Sequence, residues 1–277
     1  MSLHPDDARL DGQVALVTGG ASGIGRGIAL GLAGFGADIA IIDIDPEAGE
    51  RTAGDIRALG RRAWVVEADL RDAAQAADAA AAVIERFGGV DILVNNAGGA
   101  RFAPFLEQGE RSRDRQIALN LSSTMEMTRV AANTMIARNM GGSIINVASI
   151  EGQRGAPGFS IYAACKAAML NFTQTMALEL GEHGIRVNAI VPDIVITPGL
   201  LRMNPDMTTP ARIAARNRYV PLGRDGDLDD CAGVAVFLAS RLARYVTGAI
   251  LNVDGGTSAA RGWIRDGDGG WMLFPPV

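Results

Sequence analysis

Tyr162 and Lys166 stand four residues apart in Tyr162-Ala163-Ala164-Cys165-Lys166, at the head of an apolar-periodic segment that runs to about Glu182. On a helix that spacing puts both side chains on one face, so the phenol and the ammonium reach the same site. A free phenol titrates near 10 and is a poor base at neutral pH, whereas a neighbouring ammonium favours the phenolate. Lowering that pKa by about three units takes roughly 4 kcal/mol of differential interaction, which close positive charges in a partly dry site can supply. Ser149 precedes this pair at the expected end of a strand, where its hydroxyl could hydrogen-bond a substrate oxygen.

A second constellation lies near the amino terminus. Thr18-Gly19-Gly20-Ala21-Ser22-Gly23-Ile24-Gly25 follows an apolar strand and opens a helix. Glycines there let the backbone turn sharply and approach a pyrophosphate, whose charge sits at the helix N-terminus. Gly19, Ser22, Gly23, Ile24 and Gly25 are the turn positions expected to meet a dinucleotide. Asp43 ends the next strand, where a carboxylate can accept hydrogen bonds from an adenosine ribose. It would repel a 2′-phosphate, and neither Ser22 nor Ile44 supplies a positive charge to hold one, so the reading is NAD in preference to NADP. An oxidised nicotinamide is also the second positive charge that would favour a Tyr162 phenolate.

These residues need a frame that brings them to one edge. Short β-branched runs at 14–18, 38–43, 63–68, 91–95, 143–149, 185–191 and 249–253 alternate with longer amphipathic segments. That is the pattern of βαβ units, and it predicts an α/β fold: a Rossmann-type, doubly wound, seven-stranded parallel sheet with helices on both faces. Ile24, Ile28, Leu32 and Phe35 recur at helical spacing and predict the face that packs on the sheet. Asp45 and Pro46 mark a helix start that Gly60 ends, and an Ala-rich helix is expected around 73–82. The chain reads as one catalytic domain over 1–277, with a lid excursion at about 193–226 and a C-terminal tail at 257–277. The excursion is rich in proline and carries Leu200, Leu201, Met203 and Met207, which predicts an apolar substrate of modest size. The tail carries Trp263, Trp271, Met272, Leu273 and Phe274, with a turn at 266–270 and stiffening Pro275-Pro276, and is expected to lie over an active site.

Composition narrows the class. The 26 basic and 31 acidic residues give a formal charge of -5 with no long basic run, which argues against a nucleic-acid partner. The polar start lacks the features of a signal peptide, and no run approaches the length of a membrane span. With two cysteines, read as reduced, a cytoplasmic location is expected. His4 and His183 are too few and too separated for a metal site or a His-based mechanism, and Cys165 reads as helix packing.

Taken together, the sequence resembles the short-chain dehydrogenases/reductases in their single-domain form. The resemblance runs from Gly12 to Gly256 and rests on the Gly-rich turn, Asp69-Leu70, Asn95-Asn96-Ala97-Gly98, Asn120, Ser149, the Tyr162 to Lys166 motif and Val253-Asp254-Gly255-Gly256. It implies that Tyr162 is the acid-base catalyst, that Lys166 lowers its pKa and binds the nicotinamide ribose, and that Ser149 orients the substrate oxygen. It further implies that Asn120 holds a water linking Lys166 to solvent, and that Asp69 and Leu70 meet the adenine. Asn96, Ala97 and Gly98 would line the ribose, while Pro192 and Thr197 would flank the nicotinamide. Where the family has Pro-Gly after its sixth strand, this chain has Pro192-Asp193, so that either the backbone avoids positive φ or Asp193 makes a local hydrogen bond. The expected activity is hydride transfer between NAD(H) and an alcohol or ketone by a homotetramer. The alternatives are a 3-oxoacyl reductase, and a non-catalytic dinucleotide-binding sensor.

Overall fold

The computed structural model describes residues 2–273, so Phe274, Pro275 and Pro276 lie outside the described residues. Its strands β1 (Val14–Thr18), β2 (Asp38–Asp43), β3 (Ala63–Glu67), β4 (Ile92–Asn95), β5 (Gly142–Val147), β6 (Ile185–Pro192) and β7 (Ile250–Val253) form one sheet in the order β3-β2-β1-β4-β5-β6-β7. Every pairing is parallel. Helices α1 (Gly23–Gly34), α2 (Pro46–Ala58), α3 (Ala73–Phe87), α4 (Glu110–Ile117), α5 (Ser123–Arg138) and α6 (Ser160–Glu179) connect the first six strands, and α7 (Pro198–Met203), α8 (Pro210–Tyr219) and α9 (Leu228–Ala239) lead into β7. The order reverses direction at β1 and β4, and in such sheets ligands bind outside the carboxyl ends of the strands at that switch point.

The sheet is buried on both faces, as an all-parallel sheet must be. Ile39 and Ile41 of β2 face the layer with Ile28 and Leu32 of α1 and with Ala235 of α9. Ala40 and Ile42 face the other layer, with Val83 of α3 and Met127 and Met135 of α5. Phe35, expected on the buried face of α1, is instead its C-cap and is half exposed, because the chain leaves the helix one residue before the periodicity ends. Asp45 caps α2 through the N–H of Ala48, and Asp72 caps α3 through those of Ala74 and Gln75.

One segment departs from the sequence expectation. Strand β5 stops at Val147, so Ser149 is not its last residue but the N-cap of a 3-10 turn, Ile150–Gly152. Between α4 and α5 stands a π-turn, Ala118–Ser122, in which Ser123 donates its N–H to the carbonyl of Ala118. Beyond β7, α10 (Thr257–Ala260) and the antiparallel pair β8 (Ile264–Arg265) and β9 (Trp271–Met272) make up the tail. Asp266 Oδ1 accepts the N–H groups of Asp268 and Gly270 and so builds the expected turn. The hairpin rests on its own chain: Arg218 of α8 donates to the carbonyl of Arg265, and Arg265 donates to the carbonyl of Pro221.

Candidate active site

The Gly-rich turn is fixed by backbone contacts that leave no room for side chains. Gly19 and Gly23 have φ of +64° and +56°, a region costly for residues with a Cβ. A Cβ on Gly25 would lie 2.2 Å from the carbonyl oxygen of Gly19 and 2.3 Å from Asn96 Nδ2. Asn96 Nδ2 donates to the carbonyls of Thr18 and Gly19, and Thr18 Oγ1 accepts the N–H groups of Asn96 and Ala97. The loops after β1 and β4 are thereby tied into one floor. Ser22 caps α1 without a side-chain hydrogen bond, so its hydroxyl stays available and the first N–H groups of α1 lack a side-chain acceptor. That is a cradle for a pyrophosphate, and the residues present fit a dinucleotide. Asp43 Oδ2 accepts the N–H of Ala21 and Oδ1 that of Asp45, which holds the carboxylate beside the turn. Thr197, the N-cap of α7, sits against the same turn, since a Cβ on Gly23 would be 3.4 Å from its side chain.

On the loop after β3, Asp69 is gripped by Arg71 through Nε and Nη2, at 2.7 and 2.6 Å, and this fork holds the carboxyl below its ordinary range. The resemblance had Asp69 open to a ligand; Arg71 is a partner that sequence reading did not foresee. Leu70 is buried under the loop.

Lys166 is buried in α6 and donates from Nζ to the carbonyl of Val147 at 2.8 Å. Its ammonium lies 5.6 Å from the centre of the Tyr162 ring, so the two heads do share one site. Burial pushes Lys166 down to about 8. Burial also pushes the Tyr162 phenol up, opposed by a hydrogen bond with Ser149 and reinforced by the charge of Glu151. Burial is thus the largest influence on the phenol. Asn120 sits at the π-turn: Nδ2 donates to the carbonyls of Gly99 and Gln116, and Oδ1 accepts the N–H of Gly99. Both of its side-chain donors are thus committed. A Cβ on Gly98 would lie 2.8 Å from Asn120 Oδ1 and 3.4 Å from Lys166 Nζ, which shows how closely β4, the π-turn and α6 converge.

A charged cluster stands beside Ser149 and Tyr162. Arg154 Nη2 donates to Glu151 at 2.8 Å and lies 3.6 Å from Asp193, while Nη1 donates to the Tyr219 hydroxyl at 2.6 Å. Asp193 accepts from the Thr257 hydroxyl at 2.6 Å and has no positive φ, so both solutions foreseen for its place after Pro192 are used together. Burial pushes its carboxyl up, and the Thr257 hydroxyl and Arg154 oppose that shift. Leu200, Leu201 and Met207 are only half-buried in the excursion, and Met203 is exposed. Glu151 and Arg154 carried no signal in the sequence, because a charged loop residue reads as solvated until its partners are known. Cys165 is buried in the packing of α6, as expected.

Comparison with known proteins gives concordant results. The family model described as "Enoyl-(Acyl carrier protein) reductase" matches residues 19–258. A sorbitol dehydrogenase of Cereibacter sphaeroides is 41% identical over 90% of this chain and 98% of its own. A galactitol 2-dehydrogenase of Agrobacterium fabrum is 42% identical with the same coverage, 90% and 98%. Among solved structures, a gluconate 5-dehydrogenase of Burkholderia cenocepacia J2315 in complex with NADP and tartrate superposes with a TM-score of 0.85 at 36% identity, over 92% of this chain and 98% of that one.

Proposed function

The chain belongs to the short-chain dehydrogenase/reductase family, and from that premise we propose that it oxidises a secondary alcohol of a polyol or sugar-derived substrate, and reduces the matching ketone, with NAD(H). The observation that carries this reading is the pairing of half-buried Tyr162 with buried Lys166 beside Ser149, at the sheet edge where the Gly-rich turn also lies. When bound, the dinucleotide supplies the hydride acceptor or donor. Tyr162 Oη takes the hydroxyl proton in oxidation and returns it in reduction. Ser149 donates to the substrate oxygen and sets its distance from the phenol. Lys166, held by Val147, favours the phenolate and would bind the nicotinamide ribose. Asn120 has committed both side-chain donors, so the water that would link Lys166 to solvent has Oδ1 and the main-chain carbonyl as its acceptors.

A hydroxylated substrate is favoured over the small apolar one and over an acyl thioester by Glu151, Arg154 and Asp193. These charged side chains offer substrate hydroxyls hydrogen bonds that a hydrocarbon cannot use, and a site built to hydrogen-bond discriminates against ligands that cannot. NAD is favoured by Asp43, and Thr197, Pro192, Asp69 and Leu70 are assigned to cofactor contact. A non-catalytic sensor has no use for Asn120, Ser149, Tyr162 and Lys166 together. No helix among the described residues is long and apolar enough to cross a membrane. A cytoplasmic homotetramer fits the exposed Met125, Met140 and Leu178 on or beside the long helices.

The test is turnover of sorbitol and galactitol against cyclohexanol, with NAD and NADP in parallel, followed by nicotinamide absorbance. The expected outcome is activity on the polyols with a clear NAD preference, which Asp43→Ala narrows. Equal kcat/KM with the two cofactors would remove the role given to Asp43, and cyclohexanol as the better substrate would remove that given to the charged cluster.

A further inference from the structure

Most arginines with a polar partner in this protein are spent on carboxylates, as with Arg26 and Asp55, Arg138 and Asp91, or Arg216 and Asp225. One group is not. Arg101, Arg111 and Arg115 make no ion pair and no side-chain hydrogen bond with any of the described residues, yet all three line a single cleft of about 620 Å³. A fourth wall position is Arg71, whose Nε and Nη2 hold Asp69 and whose Nη1 has no partner among the described residues. Only one carboxylate, that of Glu107, lines the same cleft. The cleft also holds Ser112 and runs along the first turn of α4.

Gathering like charges raises the energy of each, and a chain with a formal charge of -5 has acidic residues enough to relieve them. The three free guanidiniums come from two separate stretches, the loop after β4 and α4, so a single run of exposed basic residues does not account for them. Planar forks lining one cleft match the oxygens of a phosphate or a carboxylate group, which accept two parallel N–H bonds from one guanidinium.

We infer that this cleft is a binding site for a small polyvalent oxyanion of the phosphate or phosphate-ester class, separate from the reacting centre. Arg101, Arg111 and Arg115 carry the charge, Ser112 offers a hydroxyl donor, and Arg71 contributes its unused nitrogen. The site adjoins the cofactor floor: Gly99 lines it and is bonded to Asn120, and Arg71 is the partner of Asp69. An anion that drew on Arg71 would loosen its hold on Asp69, so occupancy of the cleft and binding at the adenine end are linked. That linkage alone rests on the proposed function; binding of the anion does not.

The experiment is calorimetric titration of the full chain with inorganic phosphate and with glucose 6-phosphate at low ionic strength, repeated at higher salt, with NADH and NADPH binding followed by fluorescence. Saturable binding is expected, weakened by salt as the charges are screened, and reduced about tenfold or more in Arg111→Ala/Arg115→Ala. Arg212→Ala/Arg244→Ala removes two exposed arginines outside the cleft and is expected to bind like the parent. Saturation by glucose 6-phosphate but not by inorganic phosphate assigns the site to an ester, and the reverse assigns it to the free ion. No saturable heat with either probe, or equal affinity in the cleft variant, overturns the site. Loss of NADPH affinity in that variant, with phosphate and NADH binding unchanged, overturns it too, since the arginines would then serve the cofactor's own 2′-phosphate. Because calorimetry needs no turnover, an inactive enzyme that binds phosphate would refute the proposed function and leave this site standing.

Discussion

The turn after β1 and the excursion after β6 lie at the same edge of one sheet, and they are held in place by different means. Around the turn the contacts are short and involve main chain: Thr18 and Asn96 stitch two loops together, and Gly25 presses on the carbonyl of Gly19. Around the excursion long side chains do the holding. Arg216 forks onto Asp225 and reaches the carbonyl of Met207, Arg154 reaches Tyr219, and Arg218 and Arg265 fasten the tail hairpin. The first arrangement allows one geometry, suited to a dinucleotide. The second can be exchanged residue by residue, which suits a substrate wall.

The largest effect is expected where the two regions meet. Tyr162→Phe should lower kcat by about 10²–10⁴-fold while leaving NADH binding within reach of the parent, because it removes the proton carrier and none of the main-chain cradle. Steady-state rates set beside NADH fluorescence titration separate the two quantities, and a variant that keeps most of its kcat would require a different acid. Next comes the turn itself. Gly25→Ala should cost about 1–3 kcal/mol of stability and most of the cofactor affinity, because its methyl meets backbone that cannot move aside. A thermal midpoint and a cofactor titration equal to the parent's would show that the turn is less confined than its contacts imply.

The third expectation is a pH dependence. Burial lowers Lys166 to about 8, against an ordinary value of 10.5, so between these limits the unfolded chain binds more protons than the native one. Stability due to this group therefore rises with pH across that window and is least below 8. Relative to Lys166→Met, the parent should gain about 2 kcal/mol as the pH goes from about 8 to about 9.5. Denaturant midpoints for both proteins over that range test it, and a constant difference would mean that Lys166 titrates normally. The smallest effect belongs to the exchangeable region. A chain ending at Ala260 should stay folded, with KM raised about two- to five-fold and kcat little changed, since it loses only the hairpin fastened to α8. A kcat loss comparable to that of Tyr162→Phe would place the tail in the chemistry.

The same contrast explains what could be read without coordinates. The seven strands were legible because burial on both faces leaves β-branched runs, and the turn was legible because glycine is needed wherever φ is positive or backbones touch. Tyr162 and Lys166 were placed correctly relative to each other by helical spacing alone. The part that burial plays in their titration was not legible, because desolvation depends on everything packed around them. Ser149 was misplaced by two residues since β5 and the loop after it have similar composition. Glu151, Arg154 and Asp193 were illegible as a group: their partners come from α8 and α10, far away in the chain, and no periodicity encodes that.

The π-turn at Ala118–Ser122 has a consequence for how this segment tolerates change in length. Its widened loop takes up one residue more than an α-helical turn would. Removing one residue from it would let α4 and α5 close into a continuous helix with their faces still in phase, because the bulge already absorbs the extra residue. Only the bulge itself would be reset, and Asn120 within it would lose the hydrogen bonds to Gly99 that the widened turn allows. Arg111 and Arg115 would keep their side of the cleft. A deletion within α4 itself, by contrast, would turn everything beyond it by about 100°. The one place in this stretch where chain length is forgiving is the place that holds Asn120.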